Sequence, residues 1–217
     1  MKLNNWELAS IGIIVLMAIA GAALYAQLPE NMASHWNAQG QVNGYAPKEF
    51  VLPLIPALAL LILAGLILAP HFDPLRKNYA AFQLQFDQFK LVFVAFMAYI
   101  YGLVLAYNLA GAFDFGRALV PAFAALFYSA GGLMKHTKRN WFVGIRTPWA
   151  LSSDKVWKKT HELGGMLFQA GAIVALVGAL LFEGVVVWVI LALAIAAAVA
   201  PVILSYVWYR EEQRKRK

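Results

Sequence analysis

Cysteine is absent from the 217 residues, which removes disulfides, thiolate metal sites and thiol catalysis together. Charge is scarce as well. Asp, Glu, Lys and Arg make up 13% of the chain against 62% hydrophobic residues, where a soluble domain carries roughly 25% charged residues. No internal repeat and no low-complexity linker interrupts the sequence. Its apolar residues fall in blocks about twenty long, and at a rise of 1.5 Å per residue about twenty residues cross a hydrocarbon core of roughly 30 Å. A separate soluble domain has no room beside them. The composition describes an all-α, polytopic integral membrane protein.

Six transmembrane helices are expected, at about 8–26, 52–69, 91–108, 118–134, 164–182 and 185–208. The first apolar run is longer than the core of about 7–15 residues that marks a signal peptide, and Leu24-Tyr25-Ala26 is a poor cleavage site, so it reads as a span. The basic residues set the orientation. One side receives Lys2, then Arg76, Lys77 and Lys90, then seven residues from Lys135 to Lys159, then five from Arg210 to Lys217; the other receives Lys48 and Arg117. The positive-inside rule therefore places the N and C termini in the cytoplasm, with the 27–51 loop outside. The same asymmetry assigns the net charge of +7 to topology and anionic lipid, with no direct nucleic-acid role. The chain divides into an N-terminal three-span half, 1–109, and a C-terminal three-span half, 110–217. The first holds the outer loop 27–51 and an inner amphipathic helix 74–90; the second holds a cytoplasmic segment, 140–165.

The expected spans also lack ionisable side chains: Lys90, Arg117, Glu183 and Arg210 stand at their edges. Ion-coupled transport normally keeps such groups inside the membrane, so proton or sodium coupling is disfavoured. Passive export of a hydrophobic peptide or small molecule stays open. No cofactor is expected, and no metal, because the outer-loop His35 has no second ligand at usable spacing. An enzyme is disfavoured too, since His161 has no nucleophile or carboxylate relay at a recognisable spacing, and Ser152 and Ser153 explain themselves as helix caps.

Three segments are not spans. The outer loop has turn signals at Gly40 and at Asn43-Gly44, with a short hairpin between them. There His35, Trp36 and Asn37 form either a ligand surface or lid, or an interfacial anchor. In the first inner connection Asp73 and Pro74 suit the start of a helix that nothing breaks from Leu75 to Asn108. Tyr79, Phe82, Phe86, Phe89, Phe93 and Phe96 make one aromatic stripe on it, suited to packing or to an amphipathic peptide. The second inner connection, 140-NWFVGIRTPWALSSDKVWKKTHELGG-165, combines three tryptophans with six charged residues. Ser152 or Ser153 should cap a helix on which Trp157, His161, Gly164 and Phe168 share a face. Gly144 and Pro148 shape a bend that presents Arg146 beside Trp149, where it could bind a carboxylate or phosphate and stack on an indole. Headgroup anchoring, a docking surface and a catalytic site are its three readings.

The pattern N-x-x-x-G-x-R-T-P-W-x-L-S-x-x-x-V-W-x-x-T-H-x-x-G-G over Asn140–Gly165 resembles the signature of the SdpI family of bacterial immunity membrane proteins. Residues Leu28–Tyr45, with Ala33-Ser34-His35-Trp36-Asn37 and Asn43-Gly44-Tyr45, resemble the small domain of unknown function usually found in front of it, and 73-DPLRKNY-79 resembles that domain's end. The resemblance implies a six-span plasma-membrane protein that protects its cell from a secreted toxic peptide. In some systems such a protein also captures a cytoplasmic transcriptional repressor. It marks Asn140, Gly144, Arg146, Thr147, Pro148, Trp149, Trp157, Thr160, His161 and Gly164 as binding or signalling positions, none of them catalytic. The expected function is peptide binding through the His35-Trp36-Asn37 loop and the bundle, with 140–165 transmitting the occupied state. Export of a hydrophobic peptide is the alternative. The oligomeric state is open.

Overall fold

In the computed structural model, which describes residues 2–111, 113–181 and 186–215, long apolar helices dominate. Among the described residues five are long and apolar enough to cross a membrane: Asn5–Gln27, Lys48–Phe72, Gln83–Ala110, Phe115–His136 and Asp154–Ala179. The chain is a multi-pass membrane protein. These five correspond to α1 (Asn5–Leu24, extended by a 3-10 turn), α2 (Lys48–Phe72), α3 (Gln83–Ala110), α4 (Phe115–His136) and most of α6 (Asp154–Leu181). The short α5 (Pro148–Ser152) precedes α6, and α7 (Val186–Lys215) occupies the region expected for a sixth span. Residue 182, where the fifth expected span ends, and residue 185, where the sixth begins, lie outside the described residues, as does Glu183.

Each helix divides its surface as a bilayer requires. On α1, Ile14, Met17 and Gly21 are buried while Leu8, Val15, Leu16 and Ile19 are exposed. Asn4 starts this helix with a reciprocal cap: its side chain accepts from the Glu7 N–H, and Glu7 accepts from the Asn4 N–H, both at 3.0 Å. Packing of α4 on α6 depends on small residues. A Cβ at Gly131 would lie 2.6 Å from the Gly165 carbonyl oxygen, and one at Gly165 would lie 2.6 Å from that of Gly131. Two backbones meet there, which is how helices associate where lipid removes a hydrophobic drive.

Charge does enter the bundle. Lys90 is 2% exposed and its Nζ lies 2.5 Å from Glu7 Oε1 and 2.7 Å from Asp87 Oδ1. Asn4 and Gln83 donate to the remaining Asp87 positions, each at 3.0 Å. Lys90 keeps its place near the start of α3, but it is enclosed there. Two acids and two amides hold its ammonium between α1 and α3, because a buried charge is tolerated only when paired and hydrogen-bonded.

The unbroken helix expected from Leu75 to Asn108 is also corrected, and with it the inner helix 74–90. Residues Arg76–Ala81 form a 3-10 helix, the backbone leaves helical geometry at Phe82, and α3 begins at Gln83. The aromatic stripe serves packing: Tyr79, Phe82 and Phe86 form a buried cluster with Leu133, and Phe96 meets Phe123 edge to face at 5.0 Å.

At the opposite end, β1 (Asn31–Trp36) and β2 (Val42–Pro47) pair antiparallel, a two-stranded exception to an all-α fold. The turn is made by residues 37–41, with Gly40 at φ +75° and Asn37 Oδ1 accepting from the Gln39 and Gln41 N–H groups. Asn43-Gly44 does not turn the chain as expected; it lies within β2, opposite His35, at a break in register. Asn108 clasps the hairpin to the bundle, accepting from the Ala33 N–H at 2.7 Å and donating to its carbonyl at 3.1 Å.

Candidate functional site

Two regions concentrate the chemistry, one at each end of the bundle. At the hairpin end Trp36 packs against aromatic rings of the bundle. Its indole stacks on Phe115 at 3.7 Å between ring centres and meets Tyr107 edge to face at 5.2 Å. It walls a cavity of about 510 Å³, otherwise lined by apolar side chains of α2, α3, α4 and α7, including Ile55, Val104, Phe127 and Leu191. The Trp36 Nε1–H is buried without a hydrogen-bond partner among the described residues, an unusual expense for an indole. His35 and Asn37 stand at the same mouth, with His35 Nδ1 2.5 Å from Asn43 Oδ1. The three residues read from the sequence are thus brought together on one cavity.

At the other end two loops are knitted into one unit. Asp73, buried, accepts from the Leu75 N–H at 2.7 Å, the Trp141 N–H at 2.9 Å and the Tyr79 hydroxyl at 3.0 Å. Burial and the Asp73 carboxylate push the Tyr79 hydroxyl well above its ordinary pKa, so it remains a donor. Asn78 donates to the Arg139 carbonyl at 2.6 Å. Asn140, fully buried, accepts from the Phe142 and Val143 N–H groups and donates to the Lys138 and Val143 carbonyls. Tyr79 reaches its Oδ1 at 3.3 Å.

From there the segment folds back into the bundle. Gly144, at φ +105°, is obligatory twice over: its conformation disfavours a side chain, and a Cβ would strike His161 Nε2. His161 donates Nδ1–H to the Trp157 carbonyl at 2.8 Å and accepts the Ile145 N–H on Nε2 at 2.9 Å. This pairing fixes the neutral tautomer and uses both nitrogens in structure. Trp157, 2% exposed, stacks on that imidazole at 3.9 Å and donates to the Thr137 carbonyl at 3.1 Å. It therefore cannot anchor in headgroups. Thr160 is also inside, its hydroxyl bonded to the Val156 carbonyl at 2.8 Å. Gly164 leaves room for Met134 and Ile145.

Thr147 caps α5 through the Ala150 N–H at 3.1 Å, with Pro148 in the first turn. Thr147 and the Trp149 indole both meet the Ser205 hydroxyl of α7. Ser205 was not among the expected site residues; its signal was a hydroxyl alone within a long apolar run. Arg146 does not stack on Trp149, which packs on Tyr206 instead. Its Nη1 donates to the Trp141 carbonyl at 2.8 Å, and the guanidinium is exposed. Ser153 caps α6 as expected, accepting from the Val156 N–H at 3.3 Å and donating to Glu212 at 2.6 Å.

Under this loop lies a second cavity of about 590 Å³. Val143, Gly144, Ile145, Arg146 and Thr147 form one wall, and Phe86, Phe89, Phe168 and Val202 form others. The two cavities lie in series. Phe127 lines the first and Phe168 the second, and the two rings meet edge to face at 5.6 Å.

The fold and these two ends define a multi-pass membrane protein with a hairpin-capped apolar cavity and a hydrogen-bonded loop unit opposite. Residues 136–205 match the SdpI/YfhL protein family, and residues 12–60 match the Domain of unknown function (DUF1648). The chain is similar to Immunity protein SdpI of Bacillus subtilis (strain 168), at 22% identity across 94% of this chain and 96% of that one. These matches bear out the resemblance carried by Asn140–Gly165 and Leu28–Tyr45. No solved structure matches the chain.

Proposed function

We propose that this is a plasma-membrane immunity and signalling protein that binds a secreted, hydrophobic toxic peptide. In this reading α7 supplies a sixth crossing, and both termini and the 140–165 segment face the cytoplasm, where the basic residues gather. The observation that carries the reading is the cavity of about 510 Å³ walled by Trp36, whose buried indole N–H has no partner among the described residues. Such a site suits an apolar side chain or segment that brings one carbonyl acceptor. The similarity to an immunity protein supplies the biological context.

Occupancy of that cavity presses on Phe127, and Phe127 bears on Phe168, which lines the space beneath Gly144–Thr147. The loop then presents Arg146 differently to a cytoplasmic partner such as a transcriptional repressor. A coupling of about 1–3 kcal/mol changes partner affinity about 5–150-fold, which this short path has only to supply. Arg146, Trp149 and the loop they stand on are the proposed output; His35, Trp36 and Asn37 are the input.

The test is survival of a Bacillus subtilis strain lacking its own SdpI when challenged by toxin-producing siblings. Cells expressing this chain should survive, Trp36→Ala should lose protection, and Arg146→Ala should keep peptide binding while losing any partner response. An inserted, stable chain that gives no protection refutes the reading. Export of the same peptide is favoured by the serial placement of the cavities. Labelled peptide that leaves preloaded cells faster when the chain is present would select export over sequestration.

A further inference from the structure

The loop end holds a third cavity, of about 680 Å³, whose chemistry is opposite to that of the two apolar ones. Its rim carries Lys135, Lys138, Arg139, Lys155 and Lys158, against the single carboxylate of Asp154. That carboxylate is paired with one of these cations, its Oδ1 lying 3.0 Å from Arg139 Nε. Lys135 donates to Gln169 at 2.5 Å, and Lys158 stands 3.7 Å from Glu162. The ammonium groups of Lys138 and Lys155 meet no acceptor among the described residues, and both side chains are exposed.

A second observation points the same way. The first turns of α6, a 28-residue helix, line this cavity through Asp154, Lys155, Trp157 and Lys158. Ser153 satisfies the Val156 and Trp157 N–H groups, and those of Asp154 and Lys155 have no acceptor among the described residues. Free amides at the positive end of a long helix and the ammonium groups of Lys138 and Lys155 belong to residues that line one cavity, and both kinds of group attract an anion, although Lys155 also borders Glu211 and Glu212 in a neighbouring pocket. Asn78 and Thr137 add short polar side chains to the wall.

We infer that this cavity binds a phosphate-bearing ligand, held between Lys138, Lys155 and the N-terminus of α6. The phosphate is that of an anionic lipid headgroup or of a soluble phosphate compound; the recognising chemistry is common to both. The site is separate from the peptide cavity, so it stands or falls apart from the immunity reading. Its wall includes Trp157 and His161, the stacked pair that holds the signature loop through Ile145.

The experiment uses the full chain in phosphatidylcholine nanodiscs doped with phosphatidylglycerol, with bound lipid counted by native mass spectrometry. The wild type should retain one phosphatidylglycerol against the phosphatidylcholine excess. Lys138→Gln/Lys155→Gln should weaken that retention about tenfold or more, since two charge-assisted contacts are lost. Lys159→Gln/Arg210→Gln makes the same charge change elsewhere, at residues set over the Trp208 and Tyr206 rings, and should leave it intact. Inorganic phosphate that displaces the lipid at millimolar concentration assigns the site to soluble phosphate; failure to displace it assigns the site to the headgroup. Equal loss in both double variants overturns the site as diffuse surface charge. So does retention unchanged in Lys138→Gln/Lys155→Gln, or a wild type that binds neither probe.

Discussion

With every polar atom of its side chain engaged, Asn140 organises the loop around itself and ties it to Tyr79. Replacement by Ala would leave the Phe142 and Val143 N–H groups and the Lys138 and Val143 carbonyls short of this partner. The expected cost of Asn140→Ala is about 3 kcal/mol, read as a lowered unfolding midpoint in detergent. A midpoint equal to the wild type's would mean that the loop holds its shape without this residue. The sequence offered Asn140 only through a motif resemblance, because an Asx-type cap gives no sign until the chain turning around it is seen. His161 was legible as a singular residue, but not as one whose two nitrogens are consumed by Trp157 and Ile145. Arg146 was placed on the wrong partner: an indole three residues away is near in sequence, yet Trp149 turns toward Ser205 and Tyr206.

Helices were easier to read than the places where they start, stop and touch. Apolar runs about twenty residues long admit one interpretation in a bilayer, and five of the expected spans fall on helices that suit it. The break at Phe82 was not legible, since neither glycine nor proline marks it; it is made by the burial of Tyr79 and Phe82 against Leu133. Of the two turn signals, Gly40 holds, in a turn that Asn37 builds with its own side chain, and Asn43-Gly44 is left free to pair. The Lys90 cluster was hidden by position: a lysine at a span edge reads as interfacial until α1 supplies Glu7 and Asn4. Lys90→Met leaves Glu7 and Asp87 buried without their cation, and should cost about 3–5 kcal/mol. The same change combined with Glu7→Gln and Asp87→Asn should recover much of it. Detergent unfolding of the two variants would check this, and equal stability of both would show that the charge pairing is incidental.

For the molecule as a whole, the missing cysteine becomes an experimental advantage. Single cysteines at Ala38 in the hairpin turn and Ser152 in α5 stand at opposite ends of the bundle. In intact cells a membrane-impermeant maleimide should label Ala38→Cys and spare Ser152→Cys until the membrane is opened. Labelling of Ser152→Cys alone would invert the proposed topology, and labelling of both from outside would remove the span assignment between them.

The contacts that join residues 73–79 to 139–141 carry a constraint of a different kind. Donors and acceptors from distant parts of the chain complete one another there, so neither stretch can be exchanged alone. A chimera that takes its first seventy-odd residues from a relative will assemble only if the graft brings an Asp, Asn and Tyr in register with the host's loop. A change on either side therefore has to be matched on the other, which makes the stretch between the two family matches a fixed partner of the second.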